Sequence, residues 1–188
     1  MHEQLKAGGR SMKERTGQVT RQTKETQITI EINLDEESES EVATGIGFLD
    51  HTLNLFAKHG RFGLKVQANG DLEVDPHHTT EDVSIVLGEC FRQALGEKIG
   101  IERYGSSLIP MDETLGRVVV DLSGRPYLVF KAELENPRLG TFETETVEDF
   151  SKDLLLRPCS IYTLRSSMGA IRTIRSKHFS KSWAGRCG

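Results

Sequence analysis

Cysteine is scarce in this chain: Cys90, Cys159 and Cys187 are the only three, and none forms a C-x-x-C pair. That excludes a disulfide framework and zinc-knuckle spacing. Long apolar runs are missing too. No stretch approaches the roughly 20 apolar residues that a membrane helix needs. The start of the chain, Met1 to about Thr20, is polar and mixed in charge, without an apolar segment of signal-peptide length. A soluble, cytoplasmic protein with no membrane partner is expected. Strong positive charge is also lacking: the net charge is −4, which argues against a general nucleic-acid binder.

What is present divides unevenly. The 188 residues suit one domain or two small fused repeats, enough to bury a real core. Residues 151–188 hold eight Lys/Arg and one acid, Asp153, which leaves 16 basic and 27 acidic residues for 1–150. The body is therefore at −11 and the tail at +7, and a swing that sharp marks a boundary. Residues 1–18 read as a disordered leader. Ile28, Ile30, Ile32 and Leu34 alternate with polar residues, the period of a half-buried strand. Glu41–Thr44 reads as a partner strand, Phe48–Lys58 as a helix ending at Gly60, and Leu64–Ala68 as a strand. Gly70 and Asp71 read as a turn and Leu72–Val74 as a short strand. The clearest helix runs from about Thr80 to Lys98, with Val83, Leu87, Cys90 and Ala94 as its apolar stripe and Glu81 and Asp82 in its first turn. Val118–Leu122 and Tyr127–Ala132 read as strands, and Thr144–Phe150 opens a further helix. Strands and helices without regular βαβ alternation predict an α+β fold.

Four of the six histidines, His51, His59, His77 and His78, fall between positions 51 and 78. In Asp75-Pro76-His77-His78-Thr79-Thr80-Glu81-Asp82, the adjacent histidines point different ways and serve two sites more easily than one. If a helix begins here, Glu81 shares a face with His77 or His78. Imidazole nitrogen with carboxylate oxygen suits Mn, Fe or Zn. Taken alone, such a motif reads more readily as a polar helix start with exposed histidines. It offers three ligands at most, so an octahedral metal needs a second contributor. His51 is the best candidate within the chain, against a plain helix-surface role. His59 reads as structural.

Gly45-Ile46-Gly47-Phe48-Leu49-Asp50-His51, the H-H-T-T-E-D segment, Pro110-Met111-Asp112-Glu113 and Asp121-Leu122-Ser123-Gly124-Arg125-Pro126-Tyr127 together resemble imidazoleglycerol-phosphate dehydratase. Lys24-Glu25-Thr26 and Arg103-Tyr104-Gly105-Ser106 fit as well, and the likeness covers about Val19 to Phe150. The resemblance implies two tandem half-domains, each a mixed sheet packed by helices: residues 19–105 form the first and 106–150 begin the second. It implies dehydration of imidazole glycerol phosphate to imidazole acetol phosphate in histidine biosynthesis, with two Mn²⁺ ions holding the ring in an imidazolate-like state. His51, His77, His78 and Glu81 resemble the first-repeat metal ligands. Glu25 and Glu81 resemble the catalytic carboxylates, Glu25 as a base. Arg103 and Arg125 resemble phosphate binders, a task that suits the guanidinium fork. The same residues would meet the phosphorylated small-molecule substrate. A large homo-oligomer, of twenty-four subunits in the family, is also implied.

The resemblance calls for a second H-H-x-x-E helix and a strand histidine after Phe150, and residues 151–188 show neither. Read one base back, the codons from Ile161 onward allow I-H-I-E-V-L-Y-G-G-N-T-H-H-K-I-E followed by an apolar helix. A frameshifted tail, poorly packed from Ser151 onward, is therefore expected. The alternative is a non-catalytic remnant, or a binding protein whose basic tail takes an anionic partner. The tail has few aromatics for base stacking and no recognisable module, which ranks nucleic acid low.

Overall fold

The computed structural model describes residues 14–112, 114–132, 134, 136–158 and 161–167. The remaining leader and the expectations for Arg172–Ser182 lie outside the described residues. The first sheet holds β1 (Thr16–Gln22), β2 (Thr26–Asn33), β3 (Glu41–Ala43) and β4 (Gly63–Gly70) in the order β1-β2-β4-β3. β1 and β4 flank β2 antiparallel, and β3 joins β4 in parallel through α1 (Gly47–Gly60). A parallel neighbour needs a crossover of that kind. α2 (His77–Leu95) then returns across β1 and β2.

The second sheet holds β5 (Tyr104–Met111), β6 (Thr114–Asp121), β7 (Tyr127–Lys131) and β10 (Ile161–Ser167), in the order β5-β6-β10-β7. A small hairpin, β8 (Arg138–Leu139) with β9 (Phe142–Glu143), and α3 (Thr146–Leu156) lie between β7 and β10. α2 packs on α3, and Phe48 of α1 meets Phe142 at 5.3 Å between ring centroids. The architecture is the expected α+β arrangement of sheets and helices.

Alternation places the core. Ile28, Ile30 and Ile32 of β2 and Leu64, Val66 and Ala68 of β4 are buried, facing the stripe Val83, Leu87, Cys90 and Ala94 of α2. Phe56, Phe62 and Phe91 meet edge-on at 5.2–5.8 Å. β1 approaches α2 so closely that a Cβ on Gly17 would lie 2.2 Å from the Cys90 carbonyl oxygen. Burial pushes the Cys90 thiol up to about 12, and the thiol donates to the Ile30 carbonyl at 3.3 Å. Thiolate is the reactive form, so iodoacetamide at pH 8 should leave Cys90 unmodified in the native protein and alkylate it once unfolded. Peptide mass spectrometry reads this directly, and fast native alkylation would refute it.

Several expectations are corrected. β1 opens at Thr16, inside the stretch assigned to the leader, because residues 16–18 pair with 31–33 of β2. Leu72–Val74 is a turn, closed by Val74 N–H to the Asp71 carbonyl, and β4 itself runs on to Gly70. α2 starts at His77 rather than Thr80 and ends at Leu95 rather than Lys98. Glu81 and Asp82 therefore lie beyond its first turn. The packing does not fail at Ser151: α3 continues to Leu156 with Ser151, Leu154 and Leu155 buried, and β10 pairs with both β6 and β7. Leu154 and Leu155 are apolar at the spacing α3 needs, whatever the origin of the tail. β5 went unread because Ser106, Ser107 and Pro110 break its apolar pattern. Proline is tolerated there because β5 is an edge strand.

Candidate metal and substrate site

α2 opens on the histidines because the loop before it is pinned. Asp75 accepts from the His77 backbone N–H at 2.7 Å, and Thr80 Oγ1 donates back to the Pro76 carbonyl at 2.8 Å. With the helix begun at His77, residues four apart share a face. His77 Nε2 accordingly lies 3.8 Å from Glu81 Oε2, both side chains about half exposed. His78 turns away from that pair. Its Nδ1 lies 3.1 Å from Asp71 Oδ2, and the proton shared there raises its pKa above the ordinary histidine value. Asp75 and Glu25 add to the rise through their charge.

In the sequence Asp71 carries only a turn signal. Its place seven positions before His78 carries no periodic signal, so only the folded turn shows that it holds the ring. A carboxylate on one imidazole nitrogen fixes the ring and leaves the other nitrogen available, the usual support for a metal-binding histidine. Asp71→Asn should return the His78 pKa toward its ordinary value, measured by an NMR pH titration of the ring. The sign follows. A raised folded-state pKa stabilises fully below the unfolded value of about 6.5 and the contribution is lost as pH rises through the folded pKa. An unchanged titration would refute the pairing.

Glu25 stands in the β1–β2 turn, within reach of its charge effect on His78. Thr23 Oγ1 accepts from the Glu25 and Thr26 N–H groups, and Asp82 anchors the hairpin by accepting from Arg21 Nε at 2.8 Å and Thr26 Oγ1 at 2.5 Å. Asp82 is thus a buried structural acid rather than a dipole partner at the helix start. Gly70 completes the contact: a Cβ there would sit 2.0 Å from Thr79 Oγ1.

His51 is exposed on α1, whose first turn is held by Asp50 accepting from Thr44 N–H at 2.8 Å and Thr44 Oγ1 at 2.6 Å. Arg103 forks onto Asp121, with Nε to Oδ1 at 2.7 Å and Nη2 to Oδ2 at 3.2 Å, and lies over the Tyr104 ring at 4.9 Å. The Arg103 hydrogen bond, helped by the charge of Arg125, holds the Asp121 carboxyl below its usual range. Arg103 thus grips the carboxylate directly, while Arg125 acts on it through charge alone. The sequence-predicted residues form three groups: Glu25 with His77, His78 and Glu81; His51; and Arg103 with Arg125. Among the described residues no hydrogen bond or ion pair joins the three groups. Nor do three His, Cys, Asp or Glu side chains converge on a point that could hold a metal. The donor chemistry of His77, His78 and Glu81 fits a divalent transition metal, with His78 braced from behind, but only as part of a ligand shell.

Comparison with known proteins bears on the family and the fold. The family described as imidazoleglycerol-phosphate dehydratase matches residues 44–160. The enzyme of that name from Lactiplantibacillus plantarum is 72% identical over 136 residues, which are 72% of this chain and 70% of that one. The Lacticaseibacillus casei enzyme is 69% identical over the same shares. Among solved structures, the Staphylococcus aureus dehydratase superposes with a TM-score of 0.79 at 39% identity, over 90% of this chain and 96% of that one. The Pyrococcus furiosus dehydratase, solved in complex with (S)-C348, gives 0.76 at 29% identity over 90% and 93%. On motif, fold and likeness together, the chain belongs to the imidazoleglycerol-phosphate dehydratase family.

Proposed function

We propose that this chain carries the first half of a manganese site for the family's hydro-lyase reaction, the dehydration of imidazoleglycerol phosphate in histidine biosynthesis, and that as written it completes no such site. The observation that carries this reading is the start of α2: His77 and Glu81 share one face while Asp71 braces His78 for another. Two adjacent histidines used in two directions suit two ions better than one. His51 on α1 is a further donor.

The chemistry explains why metal is needed. The proton to be removed lies on the carbon next to the ring, and no carbonyl stabilises the charge left behind. Mn²⁺, held in part by His77, His78 and Glu81, would supply the Lewis acidity that stabilises this charge. Glu25, in the turn that Thr23 closes, would act as the base that takes the proton. Arg103 and Arg125 present guanidinium forks for the phosphate, which would displace Asp121 from Arg103. A homo-oligomer would have to bring these separate groups together, and a cytoplasmic setting suits a small phosphorylated substrate.

With half a ligand shell, Mn²⁺ binding should be weak. A calorimetric or EPR titration of the purified chain should show no tight stoichiometric uptake. Two tightly bound ions per chain would overturn the half-site reading.

A further inference from the structure

The two sheets are built to one plan. β1, β2, β4 and β3 of the first correspond in order and direction to β5, β6, β10 and β7 of the second, and α1 and α3 occupy the same place in the parallel crossover. In the first half the last strand, β4, is followed by α2, the helix of His77, His78 and Glu81. Seven positions separate Gly70 from His77, and the same step from Ser167, the end of β10, lands on Ile174. The residues written there, Ile174-Arg175-Ser176-Lys177-His178, contain no such motif.

We infer that the coding sequence as written lacks one base near the codons for Phe150 to Leu156, and that the frame one base back encodes the counterpart of α2. In that frame each codon takes the last base of one residue and the first two of the next. At the Arg172–Thr173 and Thr173–Ile174 junctions the last two bases are fixed as AC and AT, so only Asn, Asp, His or Tyr can stand there. At Ser176–Lys177 they are AA, which leaves Glu, Gln or Lys if the frame is open. H-H-x-x-E, with the spacing of His77, His78 and Glu81, is therefore available within two positions of the place set by β10.

The next turns agree as well. Lys181–Ser182 and Ser182–Trp183 admit Val and Leu, and Trp183–Ala184 reads G-GC, which is glycine without choice. That glycine falls eleven places after the first histidine, as Gly88 falls eleven after His77, and V-L-G repeats Val86-Leu87-Gly88. The structure shows why glycine is needed at that point. A Cβ on Gly88 would lie 2.8 Å from the Leu154 carbonyl oxygen and 3.0 Å from the Arg157 side chain, where α2 crosses α3. The frame as written also leaves a misfit. Asp153 is a carboxylate only partly exposed on α3. The two shifted codons that overlap Asp153 encode Arg or Gly, then Phe, Leu, Ser or Pro, never an acid.

The nucleotide sequence of codons 157–188 tests this. Read one base back, it should be free of stop codons and spell H-H-x-x-E followed by V-L-G. A stop codon, or Asn, Asp or Tyr at either histidine position, would overturn the inference. The inference rests on the dehydratase reading only through the metal motif, and a second measurement separates the two. Adding one base at codon 151 and titrating the product with manganese chloride beside the chain as written should show binding at least about tenfold tighter. If the DNA spells the helix but the restored protein binds no tighter, the manganese reading fails and the frame inference stands.

Discussion

Purified as written and supplied with Mn²⁺, this protein should turn over imidazoleglycerol phosphate at least about a thousandfold more slowly than a relative such as the Lactiplantibacillus plantarum enzyme. The expectation is geometric. His77 and Glu81 lie together, His78 faces elsewhere under the hold of Asp71, and no third donor converges with them among the described residues. A metal that polarises an imidazole ring must be held by a complete shell before it can take up developing charge. A neighbouring subunit carries the same tail and supplies no more donors than this one. Losing a preorganised Lewis acid removes several kcal/mol of transition-state stabilisation, and each 1.4 kcal/mol is about tenfold in rate. The assay follows imidazole acetol phosphate formation at matched protein and metal concentrations. Turnover within about tenfold of the relative would show that the written tail completes the site in a way the half-site reading does not allow.

Phe91→Ala should destabilise the fold by about 3–5 kcal/mol, measured by urea or thermal unfolding. Phe91 is fully buried and meets both Phe56 and Phe62 edge-on, so α1, the entry to β4 and α2 join at this ring. Truncation removes the apolar transfer energy and both ring contacts. It also opens a cavity between elements that are fixed by their own hydrogen-bonded ladders and cannot close on it. Domains of this size are stable by only about 5–15 kcal/mol, so the variant should be largely unfolded under mild conditions. A loss below about 1 kcal/mol would mean that the first half-domain repacks around the gap.

Much of the first half was legible in the residue pattern. Ile28, Ile30 and Ile32 alternate because β2 is buried on one face, and Val83, Leu87, Cys90 and Ala94 recur at helical spacing because α2 lies on that face. The H-H-x-x-E motif was visible because helix geometry is local: residues four apart meet wherever the helix goes. Periodicity is a property of neighbours in sequence, so it survives without knowledge of the rest of the fold. The composition of the tail showed a break for a related reason, since a swing in charge needs no structure to be seen.

Tertiary structure decided what depends on partners far apart in the chain. Asp71 sits behind His78 because a turn, not a strand, follows Gly70, and Asp82 is buried because the β1–β2 hairpin folds over it. No spacing rule links those positions. Pairing decided the fate of the tail's first part. Ser151 to Leu156 keep α3 because Leu154 and Leu155 meet the core, and Ile161–Ser167 fill the slot between β6 and β7 that backbone hydrogen bonds require. Backbone ladders accept almost any side chain, so a strand can form where the sequence has lost its chemistry. The sequence by itself determined the family, the core stripes and the H-H-x-x-E segment. Only the folded sheets showed that the second half repeats the first strand for strand, because strand order is set by contacts between segments that no local pattern records.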